Sequence, residues 1–403
     1  MVSLRVPRPH PEAVRFVPFF IGINLIGGVH LPFFPVWLQS EGFNPESIGL
    51  LMMCMGLVRV ISGPVLGFVA DAFSIRRLAI IVLMAVAAAS YAGYALLPGA
   101  VFVILFSLTS SIAFSAVGPL IEGITLRTAI AYQFDYGRVR SFGSAAFIVM
   151  NFGSGVFLAQ HGIDFFLVIL ISGGVFAFAM SLLLPVEGPT TESSHQHGVW
   201  GEVRALARQP AFIVFLCAAG IAQSCHAFYY GFGTLNWKAL GYNADTIGFL
   251  WGLGVVAEIA LFSFSNRVVT RLGPVRLMMI GTAAGIVRWT VMAFSPPLWL
   301  LLSVQCLHAG TFGAAHLGAM HFIARAVPGH LVGTAQSVYA AVTIGVFMSA
   351  GQFASGHLFA NFGALGYLLM SATSIAALAF SIVLGRLWHG GELREVPLLS
   401  GHP

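Results

Sequence analysis

The chain has 403 residues, of which 58% are hydrophobic and only 8% are charged, with a formal net charge of +5. A soluble domain carries roughly 25% charged residues, and a core containing most of this chain would need a far larger polar shell. The composition therefore excludes an ordinary water-soluble protein and predicts that lipid surrounds most of the surface.

Apolar runs long enough to cross a bilayer recur along the whole chain. A transmembrane helix needs about 20 mostly apolar residues. Twelve such runs are predicted, near residues 13–38, 46–70, 77–97, 100–122, 140–160, 164–185, 211–236, 246–266, 276–296, 298–322, 332–355 and 363–387. The first run is too long for a signal peptide and has no small-residue cleavage site, so it is predicted to be a span. We expect an all-α integral membrane protein.

One polar stretch, residues 187–210, separates the sixth and seventh spans. We predict that it is a cytoplasmic linker between an N-terminal half, 1–186, and a C-terminal half, 211–403. His195 and His197 could suggest a metal, but two histidines in a polar loop are more often incidental. The four cysteines lie in apolar runs without a CxxC pair, so neither a metal nor a cofactor is expected.

The basic residues are distributed unevenly between the two sides of the predicted membrane. Twelve spans place both termini on one side. Sixteen basic residues fall on that side: Arg5, Arg8, Arg15, Arg76, Arg77, Arg127, Arg138, Arg140, Arg204, Arg208, Arg267, Arg271, Arg276, Arg325, Arg386 and Arg394. Lys238 is predicted on the other side. Because arginine and lysine accumulate on the cytoplasmic side, both termini are predicted to be cytoplasmic. Membrane topology, rather than a nucleic-acid partner, therefore explains the positive net charge.

Residues 42–49 and 241–248 resemble each other. Both segments begin with glycine, continue with an aromatic residue and asparagine, and end with Ile-Gly. The offset of 199 residues also pairs Arg59, in span two, with Glu258, in span eight. Parallel six-span repeats occur in transporters that rock two halves about a central site. The repeat therefore predicts two pseudo-symmetric six-helix halves and favours a transporter.

Five ionisable residues are predicted within or beside spans: Arg59, Glu122, Arg140, Glu258 and Arg288. A charge at membrane depth is costly and usually faces a partner or a water-filled cavity. Structural ion pairs between helices would explain some of them. Two ion pairs cannot neutralise five charges, however, so the set as a whole favours a solute pathway.

The chemistry of the intramembrane residues suggests which of them bind protons and which bind substrate. Glu122 and Glu258 are the acids well inside spans, which makes them the default proton sites. The arginines would suit an anionic substrate such as a carboxylate. His226, Tyr229 and Tyr230, in span seven, could bind an aromatic ring. A packing role for the histidine and an interfacial belt for the aromatic residues remain alternatives.

The segment Gly67–Arg77 resembles the loop 2–3 motif G-x-x-x-D-R-x-G-R-R of the major facilitator superfamily. The chain resembles that superfamily over nearly its whole length. Within the motif, Ala72 stands where the superfamily has arginine, and Ser74 where it has glycine. The resemblance implies the twelve-helix fold of that superfamily and a gating role on the cytoplasmic side for Asp71, Arg76 and Arg77. The second-half copy has Thr270 where the aspartate would fall, which implies a one-sided gate.

Several further segments are similar to the 3-phenylpropionate transporter family of bacterial inner membranes. They are Leu31–Leu38, Asp135–Ser144, His226–Phe232, Gly252–Glu258, Val287–Trp289 and Gln305–Phe312. This resemblance implies proton-driven uptake of an aromatic acid.

The chain is also similar to proton symporters of the lactose permease type. In those proteins a Glu and an Arg eighteen residues apart hold the sugar, and an Arg and a His twenty apart serve coupling. Glu122 with Arg140 and Arg288 with His308 have these spacings, which implies corresponding roles. The permeases place an acid three residues after that His and a Lys three before it, where this chain has Thr311 and Gln305. Glu258 is therefore the expected proton carrier.

We expect a monomeric proton symporter that takes a small aromatic carboxylate into the cytoplasm. A sugar or nucleoside proton symporter is the alternative. It differs in the charge of the substrate, because a neutral solute would not need Arg59 or Arg288 unpaired. An intramembrane enzyme is disfavoured because no HExxH motif occurs and His316 and His321 are five residues apart, on different helix faces. A receptor or scaffold is disfavoured because there is no sizeable soluble domain.

Overall fold

The computed structural model describes residues 10–185 and 199–393, and all regular secondary structure in these ranges is helical. Six long helices precede the linker, the last of them after a 3-10 turn at Ile163–Phe165. They are α1 (Pro11–Ser40), α2 (Pro45–Ala72), α3 (Arg76–Leu96), α4 (Ala100–Tyr132), α5 (Tyr136–His161) and α6 (Phe166–Ser181).

The chain after the linker is divided into more and shorter helices. They are α7 (Val199–Ala207), α8 (Pro210–Ser224), α9 (Ala227–Ala239), α10 (Ala244–Ser263), α11 (Ser265–Leu272), α12 (Pro274–Ala293), α13 (Leu298–Cys306), α14 (Ala315–Ala326), α15 (Val332–Ala340), α16 (Ser349–Phe362) and α17 (Tyr367–Leu387). Two π-helical segments, Ala309–Ala314 and Ala341–Met348, join α13 to α14 and α15 to α16.

The described residues contain eleven helical stretches that are long and apolar enough to cross a membrane. One of them, Gly329–Leu387, has 59 residues and would be about 88 Å long at 1.5 Å per residue. That is nearly three times the ~30 Å hydrocarbon core. The stretch is broken at Gly363, whose φ of +54° leads into a 3-10 turn before α17. It therefore forms two spans, and the prediction of twelve is confirmed.

The boundaries predicted for spans four and five are too short. Helix α4 continues to Tyr132, ten residues past the predicted end, and α5 begins at Tyr136 instead of 140. Gln133 ends α4 in the left-handed conformation, and the Asp135 side chain caps α5 by accepting a hydrogen bond from the Arg138 amide. Because helices continue past the apolar run until a cap stops them, hydropathy alone underestimates their length.

Contacts among the described residues group the chain into two compact units. The first consists of Met1–Gly42, Val58–Thr191 and Asn243–Gly248, and the second of Phe43–Leu57, Glu192–Tyr242 and Phe249–Pro403. The predicted domain boundaries at 187 and 210 stay a prediction, since half of the linker, residues 187–198, lies outside the described residues. Arg5, Arg8, His195, His197 and Arg394 lie outside them as well.

The internal repeat is visible in how helices pack within each unit. In the first unit, α1 packs against α5 and α6, and α3 packs against α4 and α6. In the second, span seven packs against spans eleven and twelve, and span nine against spans ten and twelve. Gly42 and Gly241, paired by the offset, have φ values of +89° and +86°, which glycine adopts without steric cost. Both packing and turn geometry confirm the pseudo-symmetric architecture.

The C-terminal part of the predicted linker is a helix that packs on the second unit. Leu206 of α7 joins a buried apolar cluster with Phe212, Phe215 and Tyr339. Glu202 is buried and accepts a hydrogen bond from the hydroxyl of Thr334 on α15. Residues 199–207 therefore belong structurally to the second unit.

Candidate functional site

A fully buried arginine, Arg288 of α12, lies at the centre of a polar cluster in the second unit. Its guanidinium donates hydrogen bonds to Nδ1 of His308 at 3.0 Å, to the Thr311 hydroxyl at 3.0 Å and to Oε1 of Gln305 at 2.7 Å. All three acceptors are neutral in this arrangement. They come from one span, α13 and the π-helical segment that follows it, so α12 and span ten build the site together.

The hydrogen bond from Arg288 determines where His308 carries its proton. A guanidinium can only donate, so Nδ1 of His308 must accept and the ring proton lies on Nε2. That nitrogen faces Oε2 of Glu258 on α10 at 3.6 Å, and the two side chains are 9% and 15% exposed. Arg288 and Glu258 are thereby connected through one imidazole ring.

The second branch of the cluster runs through Thr311 to His226. The Thr311 hydroxyl accepts from Arg288, so its own proton is available to Nε2 of His226 at 3.1 Å. Nδ1 of His226 then donates to the carbonyl of Gln223 at 3.1 Å. His226 is fully buried, and this chain of bonds satisfies both of its ring nitrogens.

Aromatic rings surround the guanidinium. Its central carbon lies 4.8 Å from the ring of Tyr229 and 4.6 Å from that of Trp289, within cation–π range. The Tyr229 hydroxyl donates to Gln305 at 3.3 Å, and its ring lies 4.3 Å from that of Trp251. Tyr230 is 6.1 Å from Trp251, nearly parallel to it. The site therefore combines a cation with stacked aromatic surfaces.

Small residues let the helices that carry the site approach closely. A methyl group at Gly281 of α12 would lie 2.8 Å from the carbonyl of Gly310 in the π-helical segment, and one at Gly254 of α10 would lie 3.3 Å from Cβ of His308. The π-helical turn contains Thr311, and such turns occur often at functional sites. Local sequence thus brings α10, α12 and span ten together around Arg288.

Burying a charge in this way is expensive unless another charge compensates for it. The hydrogen bonds that Arg288 donates go to neutral groups, and its Nε is buried without a hydrogen-bond partner among the described residues. Such an arrangement is pre-organised to receive an anion.

Glu122 and Arg140, which lie eighteen residues apart, meet in the first unit. Nε of Arg140 donates to Oε1 of Glu122 at 3.0 Å. The side chains of Glu122 and Arg140 are 45% and 58% exposed on the protein surface. They pair near the connected ends of α4 and α5. An ion pair this exposed contributes little to stability, typically 0–1 kcal/mol.

The Arg59 side chain, in α2, is exposed on the protein surface. It lies in the first unit within electrostatic range of His30 and Tyr91. Its repeat counterpart, Glu258, is close to His308 in the second unit. The two members of the pseudo-symmetric pair therefore have different surroundings.

The loop 2–3 residues form two separate contacts. Nε of Arg76 donates to the Asp71 carboxylate, and Arg77 donates to the carbonyls of Leu184 at 2.7 Å and Leu182 at 2.8 Å, just past the end of α6. Ser74 adopts a φ of +53° at the position where the superfamily motif has glycine, a conformation that is unfavourable for a residue with a Cβ.

Three residues that the sequence did not assign to the site are central to it. Gln305 and Thr311 were noted only as departures from the permease pattern, and Trp289 only as part of a matching segment. The sequence nevertheless indicated a role for Gln305 and Thr311, because each lies three residues from His308 and has a polar side chain. His226, Tyr229, Arg288, His308 and Glu258, all predicted, do come together.

Comparison with known proteins identifies the family. The model of the MFS_1 like family matches residues 17–369. The probable 3-phenylpropionic acid transporter of Escherichia coli K12 is 33% identical over 361 residues, which cover 87% of this chain and 92% of that protein. The maltose permease of Geobacillus stearothermophilus is 26% identical over an alignment that covers 92% of this chain and 94% of the permease.

Solved structures show the same fold. The crystal structure of the nucleoside transporter NupG matches with a TM-score of 0.78 at 16% identity, over 94% of this chain and 100% of that one. At this identity the likeness concerns the fold alone. Together with the helices described above, these matches show that the chain belongs to the MFS_1 like family and is a multi-pass membrane transporter of the major facilitator type.

Proposed function

We propose that this protein is a proton-coupled symporter that takes a small aromatic carboxylate into the cytoplasm. It works as a monomer in a bacterial inner membrane, with both termini cytoplasmic and with two six-helix halves that alternate access. The observation that carries this proposal is Arg288, a fully buried cation that donates to neutral acceptors between aromatic rings. A carboxylate attached to a flat ring matches both features.

Coupling follows from the connection between Arg288 and Glu258. When Glu258 is ionised, its charge partly compensates the guanidinium through His308. Protonation of Glu258 removes that compensation, and the cluster then binds an anion more tightly. By linkage, a bound anion favours the protonated carrier by the same factor. Proton and substrate therefore bind together and leave together.

The first unit contributes a second set of charged groups. Arg140, with its exposed guanidinium paired to Glu122, is a further docking point for the substrate carboxylate. Glu122 is then released from Arg140 and becomes a second proton acceptor. Arg59 assists as an additional cation, while Asp71, Arg76 and Arg77 hold the loop that opens on the cytoplasmic side.

A proton symporter of a sugar or nucleoside is the second candidate. It is favoured by the similarity to the maltose permease and by the Glu122–Arg140 pair, which accepts and donates hydrogen bonds without needing an anion. A neutral substrate, however, leaves the charge of Arg288 uncompensated whenever Glu258 is protonated.

The test is uptake by the purified protein in proteoliposomes. Labelled 3-phenylpropionate, maltose and uridine are compared with and without an inward proton gradient. We expect gradient-driven accumulation of the aromatic acid alone. Accumulation of maltose or uridine but not the acid would establish the second candidate. Uptake of the acid at the same rate with and without the proton gradient would refute proton coupling.

A further inference from the structure

Gln305 of α13 is a fully buried residue that contacts the Arg288 guanidinium through its side-chain amide. Its Oε1 accepts from Nη2 of Arg288 at 2.7 Å and from the Tyr229 hydroxyl at 3.3 Å. Because a guanidinium can only donate, the amide oxygen must face it. The amide nitrogen then lies toward Sδ of Met292, at 3.9 Å. The neighbours of Gln305 therefore determine how its amide is oriented.

The bond to Gln305 is the shortest of the three that Arg288 donates within the cluster. Its length of 2.7 Å is typical of a hydrogen bond assisted by a charge. A carboxylate is the partner that a guanidinium most often has at this distance, and it compensates the positive charge. A glutamine amide has nearly the same shape as a glutamate carboxylate and accepts the same bond without a formal charge. Gln305 thus fixes the position of the guanidinium and leaves it positive.

The other atoms that accept from the guanidinium are neutral as well. Nδ1 of His308 and the Thr311 hydroxyl accept without carrying a charge. Oε2 of Glu258 lies 3.6 Å from the second ring nitrogen of His308, and the symport proposal requires Glu258 to be protonated when substrate binds. In that state, the residue at position 305 decides whether the protein places a carboxylate directly against Arg288.

We propose that Gln305 determines the charge selectivity of the binding site, so that the anion facing Arg288 comes from the substrate. The inference rests on the proposed function and deepens it, because Gln305 acts through Arg288 to select an anionic solute over a neutral one of the same shape. A carboxylate at position 305 would compensate the guanidinium and repel a second carboxylate. A primary amide would still be accepted, because its oxygen accepts from the guanidinium and its nitrogen donates to the new carboxylate.

The test compares two probes by isothermal titration calorimetry with the purified protein in detergent at neutral pH. The probes are 3-phenylpropionate, which is ionised, and 3-phenylpropanamide, which has nearly the same shape and is neutral. We expect wild type to bind the acid at least about tenfold more tightly than the amide. Gln305→Glu is expected to weaken binding of the acid on the order of 100-fold and to bind the amide within about threefold of wild type. The preference between the probes therefore reverses.

Two further variants separate charge from hydrogen bonding and from the substitution itself. Gln305→Met removes the amide without adding a charge, so it should bind both probes more weakly and still prefer the acid. Gln39→Glu makes the same chemical change at an exposed position near the end of α1, and both affinities should stay at their wild-type values. Gln305→Glu combined with Glu258→Gln keeps the number of acids constant. It replaces the single variant if that protein does not fold, and the same reversal is expected.

The outcomes separate the inference from the proposed function. If wild type prefers the acid and the variant with a carboxylate at position 305 still prefers it, selectivity by Gln305 is refuted and the proposed function stands. A reversal in Gln305→Met as well would assign the effect to the lost hydrogen bond and would also overturn the inference. If wild type does not prefer the acid over the amide, both the proposed substrate class and the inference fall.

Discussion

Arg288 donates a hydrogen bond to Nδ1 of His308 across 3.0 Å, and this bond orients the protonated Nε2 of the same ring toward Glu258. Each residue comes from a different span. The guanidinium thus determines the tautomer of the imidazole, and the imidazole connects the buried cation with the acid that we propose as the proton carrier.

We expect the planar, forked shape of the Arg288 guanidinium to affect substrate affinity more than its charge does. A lysine ammonium has three donors, but it lacks the rigid planar fork that aims them at His308, Thr311 and Gln305 together. We expect Arg288→Lys to raise KM for the aromatic acid by about 10- to 100-fold, within the cost of losing charge-assisted hydrogen bonds. Initial uptake rates in proteoliposomes measure this. Arg276→Lys, an exposed arginine near the start of the same helix, should leave KM unchanged.

Glu258→Gln imitates a permanently protonated acid. We expect this variant to bind and exchange substrate, because the cluster keeps its positive charge, but to lose accumulation driven by a proton gradient. Counterflow and gradient-driven uptake, measured on one preparation, distinguish the two activities. Glu41→Gln, which changes an exposed acid at the end of α1, should retain both. A Glu258→Gln protein that still concentrates substrate would rule this residue out.

Thr311 bridges Arg288 and His226 through one hydroxyl. Thr311→Val keeps the shape but leaves two buried polar partners unsatisfied, which costs about 1–3 kcal/mol. We expect a lower unfolding temperature in detergent and slower uptake. Thr109→Val removes an exposed hydroxyl that bonds only within its own helix, to Leu105, so its unfolding temperature should hardly move. Equal shifts in both variants would contradict a bridging role.

Arg77 caps the end of α6 by donating to two backbone carbonyls. Hydrogen bonds from a charged donor are worth about 1.5–3 kcal/mol, but of these two one is partly buried and the other is exposed. We therefore expect Arg77→Ala to reduce the free energy of unfolding by about 1–2 kcal/mol. Denaturation of the purified protein measures the change. Arg271→Ala, at an exposed position of α11, serves as the control and should change it by less than about 0.5 kcal/mol.

The sequence by itself determined membrane residence, the number of spans and the repeat. These properties depend on local hydropathy and on identity at a fixed offset, both of which can be counted along the chain. It also singled out Arg288 and Glu258, because charges are rare in lipid and therefore conspicuous, and His308 through the resemblance to the lactose permease type. Where helices end was decided by caps such as Gln133 and Asp135, which hydropathy does not detect.

Only the tertiary structure decided which groups meet. Gln305 and Thr311 flank His308 by three residues on each side, and the π-helical segment that contains Thr311 changes the rotation of its residues relative to Gln305 in α13. Whether these side chains face Arg288 depends on that rotation and on the approach permitted by Gly281. The structure likewise decides that Glu122 and Arg140 pair and that both remain exposed, since contact and burial depend on neighbouring helices rather than on position within one.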